Sequence, residues 1–273
     1  MKNCSGIRMI SQRRRTSGGC LSWLLTLGAI LFLFLAVKEY YPFLVSDIRM
    51  KQLQEEAAPE EKEEPGSKDP QKEEKKVPQW ADRKIDWKKL KKTNPDIIAW
   101  IVVPGTKIDY PVLSCHRWNE YLHKDYEGKD SRPGSIFVQP ETAKDFSDFH
   151  TIIYGHNMRN KSMFGSLHKF EDESFFKKHK KIYVFQPGRA MRYTVFAAGG
   201  SRDGSETYRT DYKDRKAKED WLRMIRSESY IKTEKKVTAD DIILTLSTCA
   251  NGGTRSSRYT VHGVRKEVVN LDE

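Results

Sequence analysis

Cys249 is the residue of this chain best placed for nucleophilic chemistry. It follows the apolar run at residues 242–246, which predicts a buried strand that delivers the thiol to the edge of a sheet. The polar loop that comes next contains Arg255 and Arg258. Cations near a thiol stabilise the thiolate, which is the form that acts as a nucleophile. The alternative is a structural cysteine, because free cysteines often pack as small apolar side chains.

A cysteine nucleophile generally needs a proton-transferring partner, and histidine is the commonest one. The chain offers seven histidines, most of them beside charged residues that predict solvated surface: His116, His123, His150, His156, His168, His179 and His262. His156 differs from the others, because it follows an apolar run and Gly155 at the predicted end of a strand. A loop at such a position can present a side chain on a rigid scaffold. Spacing alone leaves His156 one candidate among seven.

Other kinds of chemistry lack their sequence patterns. Cys115 and His116 are adjacent, but no second pair of ligands with zinc-site spacing accompanies them. The sequence contains no Walker A motif, no G-x-G-x-x-G and no G-x-S-x-G, so the cues for nucleotide binding and serine hydrolysis are missing. We therefore predict no metal and no cofactor. A disulfide between Cys115 and Cys249 stays open at this point.

The elements that must position these residues are mostly short strands. Strands are predicted at residues 101–103, 108–112, 135–138, 151–154, 182–186, 191–197, 242–249 and 259–264. Helices are predicted before Asn94 and at residues 164–167, 175–179 and 211–230. The absence of a strand–helix–strand rhythm predicts a mostly-β (α+β) fold, a barrel or sandwich with peripheral helices.

The N-terminal part differs in composition from the rest. The net charge of +11 divides into +5 on residues 1–19, −3 on residues 51–79 and +9 on residues 80–273. An uncharged run follows the basic tail, and as a helix it would be about 27 Å long, close to the thickness of a bilayer core. Four regions are predicted: a cytoplasmic basic tail at 1–19, a transmembrane signal-anchor at 20–37, an extracytoplasmic, disordered linker at 38–79 and a catalytic domain at 80–273.

The charge distribution also predicts the orientation. Because Lys and Arg are concentrated before the apolar run, the N-terminus should be cytoplasmic and the catalytic domain extracellular. A cleaved signal peptide is the alternative, although its apolar region is usually only about 7–15 residues. Outside the cell, a basic domain favours an anionic envelope rather than nucleic acid as its neighbour.

Three motifs, taken together, resemble the sortases, the bacterial transpeptidases that attach secreted proteins to the cell wall. They are Thr-Leu-Ser-Thr-Cys at 245–249, Tyr-Gly-His-Asn-Met at 154–158 and Arg-Tyr-Thr-Val at 258–261. The similarity extends over residues 86–265 and is greatest to the class B branch. It implies a closed sortase-type β-barrel with peripheral helices.

The resemblance also implies roles for individual residues. Cys249 matches the nucleophile, His156 the general acid/base, and Arg258 the arginine that stabilises the oxyanion. Three residues match positions that bind substrate: Asn157, Ser247 and Thr248. Arg255 is the rival for the arginine role, and Cys115 is predicted not to be catalytic.

The implied reaction is cleavage of an Asn-Pro-x-Thr-x-like C-terminal sorting signal through a thioacyl intermediate. The expected partners are secreted proteins with that signal, an amine of a peptidoglycan cross-bridge or stem peptide, and the membrane of a Gram-positive-type cell. Two other functions stay open: an extracytoplasmic cysteine protease that hydrolyses a similar signal, and a non-enzymatic module that binds the envelope.

Overall fold

A computed structural model describes residues 18–57, 77–250, 254 and 256–271. The chain divides into two units, Met1–Leu44 and Val45–Glu273. Most of the predicted cytoplasmic tail, the part of the predicted linker at 58–76 and Arg255 lie outside the described residues.

The first unit contains the beginning of helix α1 (Gly18–Ala57). Among the described residues, one helix is long and apolar enough to cross a membrane, at Trp23–Glu55. Large apolar side chains such as Leu25 and Phe32 are exposed along it. The predicted anchor at 20–37 lies within α1.

Helix α1 continues further than the sequence indicated. Residues 38–57, which we assigned to the linker, are helical up to Ala57. In the second unit, Leu53 and Ala57 are buried, and the guanidinium of Arg49 forms a 2.9 Å ion pair with Asp125. These contacts stabilise the helical conformation of this segment, although its composition is that of a solvated spacer.

Eight strands close into a barrel in the order β1-β2-β3-β4-β7-β8-β6-β5, which confirms the predicted fold class. The strands are β1 Ile97–Val102, β2 Asp109–Ser114, β3 Ile136–Val138, β4 His150–Tyr154, β5 Lys181–Gln186, β6 Arg189–Arg202, β7 Ile243–Cys249 and β8 Ser257–Asn270. Two pairs are parallel, β2 with β3 and β4 with β7. Closure pairs every strand on both sides and leaves no free sheet edge.

Peripheral helices and turns cover the barrel. They are α2 Trp87–Thr93, α3 Glu173–Lys178 and α4 Arg215–Ser227, with 3₁₀ turns at Glu120–His123, Gly165–Glu171 and Glu206–Tyr208. Helix α4 begins after Asp214, whose carboxylate accepts a hydrogen bond from the backbone N–H of Ala217 at 2.8 Å. It buries Trp221, Leu222 and Ile225, as the amphipathic pattern at 211–230 predicts.

A buried chain of hydrogen bonds crosses strands β4, β7 and β8. His150 Nδ1 lies 2.7 Å from the carbonyl of Arg209, and His150 Nε2 lies 2.7 Å from Thr245 Oγ1. The same hydroxyl lies 2.8 Å from His262 Nδ1, and His262 Nε2 lies 3.0 Å from Thr260 Oγ1. Both rings are buried, which sequence spacing alone did not show. Burial lowers the pKa of His150 to about 4 and that of His262 to about 3.

We expect acid to destabilise the barrel through these two histidines. Both bind protons more readily in the unfolded chain, where the pKa is about 6.5. The stabilisation is therefore complete above that pH and is lost as pH falls toward 4. Between pH 7 and pH 5 the free energy of unfolding should fall by roughly 2 kcal/mol for each histidine, as measured by denaturant titration of the full chain in detergent.

The matched control is His150→Gln, which keeps hydrogen-bonding groups but does not titrate. Its loss of stability over the same pH range should be about half that of the wild type. An equal loss in both proteins would contradict the assignment.

Candidate active site

The parallel pairing of β4 with β7 brings two distant segments to one edge of the barrel. The register runs from His150 opposite Ile243 to Tyr154 opposite Ser247. The N–H of Gly155 then donates to the carbonyl of Ser247 at 3.1 Å. Because the two strands run in the same direction, the loop after β4 meets the last residues of β7.

Cys249 is the last residue of β7, and its side chain is exposed. Strand β8 runs antiparallel to β7 and places Arg258 directly opposite Cys249. Cys115 is buried, and neither cysteine forms a disulfide. Burial raises the pKa of the Cys115 thiol, which disfavours its thiolate. Of these two cysteines, Cys249 is therefore the one suited to react.

The loop after β4 is bonded to the end of β7. The amide Nδ2 of Asn157 donates to the carbonyl of Cys249 at 2.9 Å. This hydrogen bond holds the residue next to His156 against the backbone of the candidate nucleophile. The sequence-predicted Asn157 thus contacts the site through the main chain of Cys249.

The ring of His156 is half-buried and stacks on His123, with the ring centroids 5.5 Å apart. Its Nε2 lies 2.7 Å from the carbonyl of Leu122. Because a carbonyl only accepts hydrogen bonds, Nε2 carries the hydrogen and Nδ1 has the lone pair in the neutral ring. Burial lowers the pKa of His156, and the bond to Leu122 partly opposes this effect.

The guanidinium of Arg258 is held by a carboxylate. Its Nη2 lies 2.7 Å from Oδ2 of Asp203, which follows the end of β6. Burial raises the pKa of Tyr154 and Tyr208, and the charge of Arg258 opposes the rise in both. The positive charge therefore lies near these two phenols, which stack with centroids 6.2 Å apart.

The remaining predicted substrate residues lie on opposite faces of β7. Ser247 Oγ is 2.7 Å from the hydroxyl of Tyr208, on the face of β7 that also carries Cys249. Thr248 points to the opposite side of the strand. Both side chains are buried, each only 2% exposed.

A cavity of about 290 Å³ lies beside Tyr154 along β4. Its lining includes Trp118, Gln139, Glu141, Ile152, Tyr154 and Tyr208. The cavity adjoins Ser247, since Tyr154 pairs with Ser247 and Tyr208 bonds to it.

Sequence reasoning missed His168, Asp203 and Tyr208. His168 Nε2 lies 3.0 Å from the carbonyl of Cys249, although we grouped His168 with the solvated histidines. Its spacing of three from Glu171 was an available signal, because residues three apart lie side by side in a 3₁₀ turn. No local sequence pattern marks Asp203 and Tyr208 as residues of this site. The end of β6 and the turn that follows it bring them to the site from another part of the chain.

The barrel and the cysteine-bearing strand end define a family. Residues 101–266 match the Sortase domain family, and the chain belongs to this family. Similar proteins include Sortase B of Listeria monocytogenes, 34% identical over 161 residues, and Sortase B of Staphylococcus aureus, 32% identical over 172 residues. These matches cover 59% and 63% of this chain, and 65% and 70% of the relatives. The chain thus spans just under two thirds of the Listeria protein.

Solved structures give the same relationship. The S. aureus sortase B–substrate complex is 30% identical with a TM-score of 0.62, and the match covers 68% of this chain and 85% of that one. Clostridium perfringens sortase B is 32% identical with a TM-score of 0.62, over 66% and 99% of the two chains. The predicted resemblance to class B sortases is confirmed.

Exposure predicts different reactivity for the two cysteines of the barrel. In the full chain at pH 7, iodoacetamide should label Cys249 at least about tenfold faster than Cys115, because the buried thiol is both inaccessible and un-ionised. Mass spectrometry of the digested protein measures both sites. Equal labelling of a protein that is still folded would contradict this assignment.

Proposed function

We propose that this chain is a membrane-anchored transpeptidase that cleaves an Asn-Pro-x-Thr-x-like C-terminal sorting signal and transfers the protein to a cell-wall peptidoglycan amine. The observation that carries the proposal is the edge of the barrel where Cys249 faces Arg258 and is bonded to the loop of His156. A thiol, a cation and an imidazole, carried here on neighbouring segments of one barrel edge, are the groups that acyl transfer requires.

The reaction proceeds in two acyl transfers. The Cys249 thiolate attacks the carbonyl carbon of the scissile amide, and the carbon–sulfur bond forms as the carbon–nitrogen bond breaks. His156 takes the thiol proton and returns it to the departing amine. The incoming amine then attacks the thioacyl carbonyl, its proton passes to His156, and the carbon–sulfur bond breaks to release the thiolate.

Arg258 has the chemistry to stabilise the oxyanion in both steps. Its guanidinium is always charged and presents several donors in a planar fork. In the substrate-free protein the Asp203 carboxylate holds that fork at the barrel edge. Moving a preformed charge a short distance costs less reorganisation than ordering a solvated side chain.

We assign the substrate groove to the outer face of β7 and β4. Asn157 and Ser247 lie next to Cys249 on this face, and the cavity beside Tyr154 would receive residues that precede the scissile bond. A substrate complex exists for S. aureus sortase B, which supports a peptide substrate for this chain. Thr248 points to the opposite face of β7, which argues against direct contact with the peptide.

The N-terminal half of α1 supports membrane anchoring. It is long and apolar enough to span a bilayer, and the positive residues before it favour a cytoplasmic N-terminus. The catalytic unit would then lie outside the cell. Its charge of +9 over residues 80–273 suits an anionic wall.

Transpeptidation is tested with a sorting-signal peptide incubated with and without an amine acceptor. We expect the acceptor to be joined to the peptide and Cys249→Ala to abolish both cleavage and transfer. Hydrolysis alone, despite abundant acceptor, would favour the protease alternative. Cleavage-independent wall attachment in the Cys249→Ala strain would favour the envelope-binding alternative.

Replacement of the guanidinium provides a second test. Arg258→Lys should lower kcat/KM by about 100-fold or more, because lysine lacks the fork that stabilises the oxyanion. Arg255→Lys is the matched control and should stay within about threefold of the wild type. The opposite ranking of the two variants would transfer the role to Arg255.

A further inference from the structure

We propose that His150 is a positioning residue for the substrate groove, because it bonds to the segment that forms one wall of the groove. This wall segment is Glu206–Tyr212, which lies between β6 and α4. The inference rests on the proposed function, in that the cavity beside Tyr154 receives the peptide. It assigns part of the peptide affinity to a ring that is 1% exposed and acts through the main chain.

The wall segment has little regular structure of its own. It contains the 3₁₀ turn Glu206–Tyr208, and within it only Thr207 is buried. Tyr208, Thr210 and Asp211 line the cavity. Because so few of its side chains are buried, the segment gains little from packing, and its position depends on hydrogen bonds from neighbouring elements.

Two carbonyl groups of the wall segment face buried rings. Nδ1 of His150 lies 2.7 Å from the carbonyl oxygen of Arg209, and Nε1 of Trp221 donates to the carbonyl of Glu206 at 3.0 Å. The two rings contact each other, with centroids 4.3 Å apart. One ring belongs to β4 and the other to α4, so both elements hold the wall segment.

The contacts of the His150 ring show which nitrogen carries the hydrogen. Burial lowers the pKa of His150 to about 4, so the ring is neutral at pH 7 and has one N–H. The carbonyl of Arg209 only accepts, whereas the hydroxyl of Thr245, 2.7 Å from Nε2, can donate. With the hydrogen on Nδ1 both contacts are hydrogen bonds. With the hydrogen on Nε2, a lone pair would lie 2.7 Å from the carbonyl oxygen.

Tyr212 supplies a second donor to the same carbonyl group. Its hydroxyl donates to the carbonyl of Arg209 at 2.7 Å and lies further, 3.3 Å, from Nδ1 of His150. The ring of Tyr212 packs edge-on against Trp221, with centroids 6.0 Å apart. The carbonyl of Arg209 is therefore held by two donors, one from β4 and one from the end of the wall segment.

The position of Arg209 constrains Tyr208, the residue before it. The hydroxyl of Tyr208 is 2.7 Å from Ser247 Oγ, and its ring stacks on Tyr154. Without the bond from His150 the wall segment is free to move away from β4, and the width of the groove is no longer fixed. A wall that is fixed before the peptide arrives lowers the ordering cost of binding.

The candidate nucleophile lies far from His150. His150 pairs with Ile243, and Cys249 is six residues further along β7, which is about 20 Å at the usual rise of a strand. Loss of the His150 bond should therefore weaken peptide binding and leave the bond-breaking step unchanged.

Two phenylalanine variants separate positioning from general stability. His150→Phe removes both hydrogen bonds of a buried ring. His262→Phe is the matched control, because it removes the contacts of an equally buried ring with Thr245 and Thr260, neither of which belongs to the wall segment. We expect KM for the sorting-signal peptide to rise about fivefold or more in His150→Phe and to stay within about twofold in His262→Phe, with kcat within about twofold in both.

The conservative variant His150→Asn keeps an amide donor near the position of Nδ1. It should restore KM to within about twofold of the wild type, which a loss of packing alone would not predict.

Hydrogen exchange measured by mass spectrometry tests the same contact without any substrate. In the full chain in detergent, the wall segment should exchange about fivefold faster or more in His150→Phe than in the wild type, and at the wild-type rate in His262→Phe. Since this assay needs no sorting signal, failure of transpeptidation and failure of the positioning role give different results.

Equal KM values in the two phenylalanine variants would overturn the proposal, as would unchanged exchange of the wall segment in a folded His150→Phe protein. A fall in kcat with an unchanged KM would also contradict it. If His150→Phe does not fold, Tyr212→Phe removes the other donor to the carbonyl of Arg209. Wild-type KM and wild-type exchange in that variant would then overturn the proposal.

Discussion

The proposed catalytic edge depends on the parallel pairing of β4 with β7. Asn157 and Cys249 are 92 residues apart in the chain, yet they share a hydrogen bond because both strands end at the same edge. A slip of β7 by one residue would reverse its faces. Thr248 would then be at the surface, and Cys249 would point toward the apolar interior.

The loop after β4 needs further support, because it must present His156 and return to the barrel within a few residues. The N–H of Met163 donates to the hydroxyl of Tyr110 at 3.0 Å, and burial raises the pKa of Tyr110 to about 12. Gly165 lies so close to this loop that a Cβ there would be 2.5 Å from the carbonyl oxygen of Met158. The buried hydroxyl of Tyr110 and the absence of a side chain at Gly165 thus determine the shape of the loop.

The sequence predicted the features that depend on local pattern. The positions of β4 and β7 were predicted from apolar runs that end in polar loops. The motifs around Cys249, His156 and Arg258 identified the family. These signals are local because β4 and β7 are buried except at their last residue, and the sequence of each therefore shows where the strand ends.

Features that depend on distant partners were not predictable in this way. Residues 51–57 have the composition of a spacer and are helical because Leu53 and Ala57 find apolar neighbours in the barrel. His150 has no sequence neighbour that indicates its partner, because Thr245 is 95 residues away. The bond of His168 to Cys249 spans 81 residues. Adjacent residues in a strand point to opposite faces, so the neighbours of a residue in sequence do not show which side chains it contacts.

The place of β8 in the chain has a consequence for biogenesis. Arg258 belongs to the final strand, and β8 closes the barrel between β7 and β6. The chain is synthesised from its N-terminus, so Cys249 is complete before β8 can pair with β7 and β6. Until that pairing forms, the thiol has no cation opposite it and the barrel is open. A chain that stops short of β8 therefore lacks the arrangement on which the proposed reaction depends.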